Sequence, residues 1–120
     1  MTGSGDLSLI EPSEEQKRAA EILRLNQGTP RDVGNGAQLD RVIGAGDGVL
    51  YFFTMTQLSG DEIDVAEFRK FVYETARSDI CSNPKILGFF DTEAGFIEYR
   101  VRDRSGVAIS TIRFDKSDCE

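Results

Sequence analysis

The segment Val49-Leu50-Tyr51-Phe52-Phe53-Thr54-Met55-Thr56 decides the fold. Its aromatic and β-branched residues favour a β-strand. In such a strand every second residue from Val49 lies on one face, and Leu50 and Phe52 lie on the other. Because both faces are apolar, we expect this strand to lie centrally in a sheet and to be covered on part of its second side.

The residues before this strand predict its hairpin partner. The segment 39–43 (LDRVI) is typical of a strand, and 44–48 (GAGDG) predicts a hairpin loop of four or five residues. This glycine-rich loop lacks the Lys-Ser/Thr pair of a phosphate loop and precedes a strand. The segment 29–36 is rich in turn formers and predicts an irregular connection.

The main helix is expected after the central strand. The segment 59–62 (SGDE) opens it, with Ser59 or Asp61 as the cap. The helix ends near Cys81, before Pro84. Its core-facing stripe consists of Val65, Phe68, Val72 and Ala76.

A shorter helix is predicted near the N-terminus, after a mobile arm of residues 1–11. Ser13 is its expected cap, and the helix ends near Asn26. The rest of the chain, residues 12–120, is expected to form one domain. The weak apolar stripe of this first helix consists of Ala19, Ala20, Ile22 and Leu23.

The C-terminal third predicts a short helical turn over 85–90 and a second hairpin over 95–114. Alternation over 95–103 gives that strand one apolar and one charged face. In the last strand Ile109 and Ile112 fall on opposite faces, which a bulge or an edge position would reconcile. The predicted fold is therefore α+β, in the order αββαββ, with a four-stranded antiparallel sheet and the helices packed on one face.

Composition limits the classes of partner. The chain has 120 residues and a formal net charge of −7, which argues against a nucleic-acid binder. No apolar run reaches the length of a membrane span. The first residues lack the regions of a signal peptide, so either a secretory signal has been removed or the protein is cytosolic.

Cys81 and Cys119 are the two cysteines of the chain. A structural disulfide between them is our first expectation, and it would indicate an oxidising compartment. The alternative is two free thiols in a reducing cytosol. A redox switch is disfavoured because no Cys-x-x-Cys motif is present, and a zinc site is disfavoured because the chain has no histidine to complete four ligands.

The same lack of histidine removes the Ser-His-acid and Cys-His arrangements of nucleophilic enzymes. We therefore predict no catalytic residues, no metal and no cofactor. Four acids cluster at the start of the main helix, but helix starts favour acids for dipole reasons alone. These acids are Asp61, Glu62, Asp64 and Glu67.

One charged surface stands out as a candidate site for a protein partner. The charged face of the predicted last hairpin, with one residue from the first hairpin, concentrates positive charge in an acidic protein. The alternative is a solvated face that discourages edge pairing. The residues of this candidate site are Arg41, Glu98, Arg100, Arg102 and Arg113.

The second half of the chain resembles small exported bacterial proteins known as quorum-sensing-regulated virulence factors. The resemblance rests on 81–84 (CSNP), 95–100 (GFIEYR) and 103–106 (DRSG), together with Asn26, Thr29-Pro30, Leu39 and Tyr51, and it spans residues 23–114. It implies an exported, signal-cleaved α+β protein with no established reaction.

These observations predict a non-enzymatic, periplasmic or secreted protein that is a monomer or weak dimer and binds another protein or is associated with virulence. The alternative function is an inhibitor or immunity protein that blocks a toxin or hydrolase of the bacterial envelope. An enzyme is the least supported class.

Overall fold

The computed structural model describes residues 13–90 and 94–120, so the predicted arm over 1–11 lies outside the described residues. The helices are α1 (Glu14–Leu25), α2 (Val65–Cys81) and α3 (Pro84–Leu87). The strands are β1 (Arg31–Gly34), β2 (Ala37–Ala45), β3 (Gly48–Met55), β4 (Phe96–Arg102) and β5 (Ala108–Asp115). Single 3₁₀ turns lie at Gly60–Glu62, Gly88–Phe90 and Lys116–Cys119.

The five strands form one sheet in the order β1-β2-β3-β4-β5. The α+β class is confirmed, but the predicted four-stranded, wholly antiparallel sheet is wrong. The central pair β3 and β4 is parallel, with Gly48 opposite Phe96. The chain between these strands runs through α2 and α3 and returns to the end of the sheet where β3 began. A helical crossover of this length joins parallel neighbours.

Strand β1 is the additional strand, formed from residues expected to be irregular. It pairs antiparallel with β2 across a tight turn. In that turn Gly34, Asn35 and Gly36 all have positive φ, at 93°, 57° and 75°. These glycines therefore form the tight turn of a hairpin, where an irregular connection was predicted.

The hairpin between β2 and β3 is also tighter than expected. Ala45 pairs with Gly48, so the turn contains only Gly46 and Asp47 instead of four or five residues. Gly46 takes the positive φ, at 58°.

Helix α1 begins at the expected cap, where Ser13 and Gln16 form a capping box. Its stripe differs from the prediction, because Leu23 is 71% exposed, and Leu25 is buried instead. At the end of α1 the Asn26 side chain donates to the Val42 carbonyl at 2.7 Å and accepts from the Val42 amide at 2.8 Å. These two bonds attach the helix end to β2.

Helix α2 begins later than predicted, because Asp64 caps it by accepting from the amides of Ala66 and Glu67. Ser59 belongs instead to the capping box of the preceding 3₁₀ turn. Val65 is consequently exposed at the helix start, and the fully buried positions of α2 are Ala76 and Ile80.

The core lies between the helices and one side of the sheet, which we call the inner face. The opposite side is the outer face. The expected short helical turn is present as α3 and the 3₁₀ turn after it. The expected bulge in the last strand is present at Ile109, and β5 is an edge strand. The buried core consists of Leu25, Leu39, Val42, Val49, Tyr51, Ala76, Ile80, Ile86, Phe89, Phe90, Ile97, Ile112 and Phe114. Within the described ranges, no helix has the length and apolarity needed to cross a bilayer.

Candidate functional site

An apolar groove opens on the inner face, between helix α2 and the part of the sheet that carries β1. It has a volume of about 330 Å³. Two apolar side chains on its rim face solvent: Phe71 of α2 is 58% exposed, and Val33 of β1 is 43% exposed. The other apolar residues of its lining include Leu39, Tyr51, Phe53, Met55, Phe68, Val72, Ala76, Tyr99 and Val101.

The floor of the groove is a cluster of aromatic rings from the two central strands. The rings of Tyr51 and Tyr99 have centroids 5.1 Å apart, and those of Phe53 and Tyr99 are 4.9 Å apart. Such tilted contacts stabilise the rings beyond simple burial. Burial raises the pKa of both tyrosine hydroxyls. The floor is therefore uncharged at physiological pH.

Arg31 of β1 supplies a polar group to the wall of this groove. Its Nη2 donates to the Leu25 carbonyl at 3.1 Å, but its buried Nε–H has no acceptor in the described chain. A buried donor without a partner is costly. The other polar side chains of the lining are Asn35, Thr75 and Asp79.

The outer face carries all five residues predicted as a candidate protein-binding site. The strand pairings place them in adjacent rows. One row runs from Arg41 through Phe52 and Arg100 to Thr111. The next contains Ile43, Leu50, Glu98 and Arg113, and Arg102 lies beside Thr54 on the other side. The structure therefore brings the predicted residues together.

Glu98 differs from the expectation of a solvent-exposed residue, because it is 5% exposed. Arg100 donates to its Oε2 at 2.6 Å, and Arg113 donates to its Oε1 at 3.0 Å. Burial opposes ionisation of Glu98, but the two arginine hydrogen bonds outweigh it, so its pKa lies below the ordinary value. One buried carboxylate thus orients two arginines.

Arg102 and Arg41 have different surroundings on the same face. Arg102 donates to Thr54 at 2.9 Å and lies 3.4 Å from Asp40. Arg41 makes no ion pair with a described residue, and its guanidinium lies 4.5 Å from the centre of the Phe52 ring. Together with Arg100 these residues border a hollow of about 500 Å³.

The disulfide between Cys81 and Cys119 is confirmed, and the described chain has no free cysteine. It joins the end of α2 to the segment after β5. Beside it, Tyr73 donates to the Asp118 carboxylate, and Arg77 donates to the Asp118 carbonyl. The C-terminal segment is therefore held against α2 by three separate contacts.

The acids at the start of α2 cap local backbone. Asp64 caps the helix, and Glu62 caps the 3₁₀ turn. In residues 13–90 and 94–120, no group of three or more acids and cysteines has the arrangement of a metal site.

Sequence reasoning missed the groove. Its rim depends on β1, which was expected to be irregular, and on Phe71, which lies beside the predicted stripe of α2. The available signal was a large aromatic residue outside that stripe.

No protein-family model matches this sequence, and comparison with curated protein sequences gives no significant match. Three solved structures share its fold. One is a Pseudomonas aeruginosa protein assigned as secreted, at 13% identity and a TM-score of 0.67, covering 92% of this chain and 100% of that one.

The other two are pilotins of type II secretion systems. EpsS from Vibrio vulnificus has 16% identity and a TM-score of 0.67, covering 89% of this chain and 94% of its own. AspS from Vibrio cholerae has 16% identity and a TM-score of 0.62, covering 83% and 86%. At these identities the likeness is one of fold, and the chain has the fold of these pilotins.

Proposed function

We propose that this protein is a non-catalytic, exported binding protein of the bacterial envelope, similar in role to the pilotins that share its fold, and that its apolar groove holds a helical segment of a partner protein. The observation that carries this proposal is the exposed apolar rim at Phe71 and Val33 above an aromatic floor. The role in virulence that the sequence resemblance implies would depend on binding this partner.

The shape of the groove suits an apolar helix face. Helix α2 forms one wall and strand β1 the other. Amphipathic helices bind in such grooves through anchors spaced one turn apart. Exposed apolar surface that lines a concavity is typical of an interaction site. A partner helix would remove Phe71 and Val33 from water at the same time.

Arg31 adds a polar requirement for the partner segment. Its buried Nε–H lacks an acceptor in the described chain. A carboxylate or carbonyl oxygen of the partner would satisfy it, and a hydrogen bond from a charged donor is stronger than a neutral one. We therefore expect the partner helix to carry one acceptor among its apolar anchors.

A non-catalytic role agrees with the chemistry of the groove. In the described chain, no hydrogen bond or ion pair joins any two of the polar lining side chains Arg31, Asn35, Thr75 and Asp79. Covalent catalysis needs a nucleophile and a base within hydrogen-bond distance. The mainly apolar lining of the groove supports a binding role.

Export is supported by the disulfide. A disulfide of this kind persists in an oxidising compartment, and one of the solved structures that share this fold is of a protein assigned as secreted. We therefore propose a periplasmic or secreted location.

A photocrosslinking experiment in the native host tests the binding role. A photoreactive phenylalanine analogue at position 71 should crosslink one envelope protein, because Phe71 lies on the groove rim. The same analogue at Leu23, which is 71% exposed on α1 and outside the groove, is the matched control. Equal crosslinking at both positions, or none at position 71, contradicts the proposal.

The alternative function, an inhibitor or immunity protein, predicts a different outcome. The crosslinked partner would then be a toxin or hydrolase, and adding the purified protein would lower its activity. A crosslinked partner with no such activity excludes the inhibitor role and leaves the binding role intact.

A further inference from the structure

We propose that the outer face of the sheet is a second interaction surface, which binds an acidic segment of a protein and holds one carboxylate between Arg41 and Arg100 above the Phe52 ring. This surface lies on the opposite side of the sheet from the groove. It is therefore independent of the proposed function.

The two arginines are arranged around one aromatic platform. Arg41, Phe52 and Arg100 are direct neighbours on strands β2, β3 and β4. The guanidinium carbons of Arg41 and Arg100 lie 4.5 Å and 5.8 Å from the centre of the Phe52 ring. Contact with an aromatic face restrains an arginine side chain and leaves its N–H edge free to donate.

Charge in the middle of this face, around Phe52 and Glu98, is opposite to that of the whole protein. Its central rows on β2 to β5 contain four arginines and two carboxylates, Asp40 and Glu98, in a chain with a net charge of −7. Glu98 is shared by Arg100 and Arg113, so one carboxylate faces two cations. Arg41 has no ion-pair partner among the described residues. The middle of the face therefore has an excess of positive charge that an acidic partner would neutralise, whereas Asp32 and Asp115 lie at its margins.

Glu98 is a positioning residue for this surface. Its carboxylate is buried and hydrogen-bonded on both oxygens, so it fixes the direction of the Arg100 guanidinium. Arg113 is fixed in the same way and also stacks 3.9 Å from the centre of the Phe96 ring. Pre-oriented donors lose less conformational entropy on binding than free ones.

A protein segment fits this surface better than a lipid bilayer does. The apolar side chains between the arginines, Leu50 and Phe52, are buried and half-buried, so they do not project for insertion. The net charge of the whole chain would oppose approach to an anionic membrane. The hollow of about 500 Å³ bordered by Arg41, Arg100 and Arg102 is large enough for an acidic side chain.

The test measures binding of the full chain to a fluorescein-labelled decapeptide of alternating glutamate and serine at low salt. We expect saturable binding that weakens as salt rises to about 200 mM. Arg41→Glu should weaken binding by about tenfold. Arg69→Glu is the matched control, because it makes the same charge change at an exposed position on α2, and it should change binding less than about twofold.

A second pair of measurements ties the effect to the surface. Amide chemical shifts should change on peptide addition at residues 41, 52 and 100. Glu98→Gln should weaken peptide binding although it removes a negative charge. A purely electrostatic role of Glu98 would instead make this variant bind the peptide more tightly. Arg41→Gln provides a milder variant, and thermal unfolding establishes that each variant is folded.

Four outcomes would overturn the proposal. The first is no saturable binding of the peptide, and the second is equal weakening by Arg41→Glu and Arg69→Glu. The third is binding to phosphatidylglycerol vesicles in preference to the peptide. The fourth is salt-sensitive self-association in sedimentation that Arg41→Glu abolishes, which would identify a second copy of the chain as the occupant. None of these results bears on crosslinking at position 71.

Discussion

The two faces of the sheet are built from alternate residues of the same strands, yet they are stabilised in different ways. The inner face packs Val49, Ile97 and Phe114 in one row beneath the helices, with almost no exposed area. The outer face is stabilised around a buried carboxylate and arginines whose side chains are about half exposed. Burial of apolar area dominates on the first face, and charge-assisted hydrogen bonds dominate on the second.

This difference indicates where binding can evolve without loss of the fold. The inner face is sealed where the helices and the 3₁₀ turn after α3 cover it, and it is open at the groove, whose two walls are α2 and β1. On the outer face, Glu98 holds two of the four arginines, Arg100 and Arg113, whose side chains remain about half exposed. Each face therefore has a part that stabilises the fold and a part that remains available to a partner.

Removal of the disulfide should give the largest loss of stability. It closes a loop with a sequence separation of 38 and holds the C-terminal segment against α2. The double change Cys81→Ser and Cys119→Ser should lower the free energy of unfolding by about 4 kcal/mol in the chain-entropy estimate. Urea denaturation measures this loss.

Wild-type protein in reductant is the control for that experiment. It should unfold at the same urea concentration as the double variant, because both lack the same constraint. Unchanged stability in both samples would mean that the hydrogen bonds of Tyr73 and Arg77 to Asp118 suffice to hold the segment.

Truncation in the sealed part of the inner face should have the next largest effect. Ile97 is fully buried, so Ile97→Ala should lower the free energy of unfolding by about 3 kcal/mol through lost burial and a cavity. The matched outer-face change, Ile43→Ala at a residue that is 39% exposed, should cost less than about 1 kcal/mol. Comparable losses would contradict the distinction between the faces.

Neutralising the buried carboxylate tests how the outer face is stabilised. Glu98→Gln should lower the free energy of unfolding by about 1 to 2 kcal/mol at neutral pH, because charge-assisted bonds to Arg100 and Arg113 are lost. The ordinary pKa of this carboxyl is 4.5 and the folded pKa is lower. Ionised Glu98 therefore stabilises the fold above pH 4.5, and this contribution disappears as pH falls through the lowered pKa.

The pH dependence distinguishes a charge effect from a packing effect. The stability difference between the wild type and Glu98→Gln should be largest at pH 7 and shrink below pH 4.5. Glu74→Gln, an exposed position on α2, should show no comparable difference. If the loss of stability in Glu98→Gln stayed constant down to low pH, Glu98 would stabilise the fold through its shape and not through its charge.

The outer face could be predicted from the sequence because strand alternation is a local property. Once 95–103 was recognised as a strand, Glu98, Arg100 and Arg102 had to share a face. The burial of Glu98 was not predictable, since it depends on Arg113 from the neighbouring strand. The disulfide was predictable because the chain has two cysteines.

The groove and the parallel pair could not be predicted because both depend on distant parts of the chain. The residues of β1 have no alternating pattern, and their strand state comes from pairing with β2 across Gly34-Asn35-Gly36. Likewise, β4 lies parallel to β3 because the crossover through α2 and α3 returns the chain to the start of β3. Local periodicity indicates neither the pairing of β1 with β2 nor the direction of β4.

The smallest change in stability is expected at the open part of the inner face, where it should accompany a complete loss of binding. Phe71 is 58% exposed, so Phe71→Glu removes little buried area and should change the free energy of unfolding by about 0.5 kcal/mol or less. The same substitution places a charge on the rim that an apolar helix must cover. The partner found by crosslinking should no longer copurify with this variant, whereas Leu23→Glu, equally exposed on α1, should retain it. Loss of the partner together with a large loss of stability would instead assign Phe71 to the sealed core and remove the distinction between the two parts of this face.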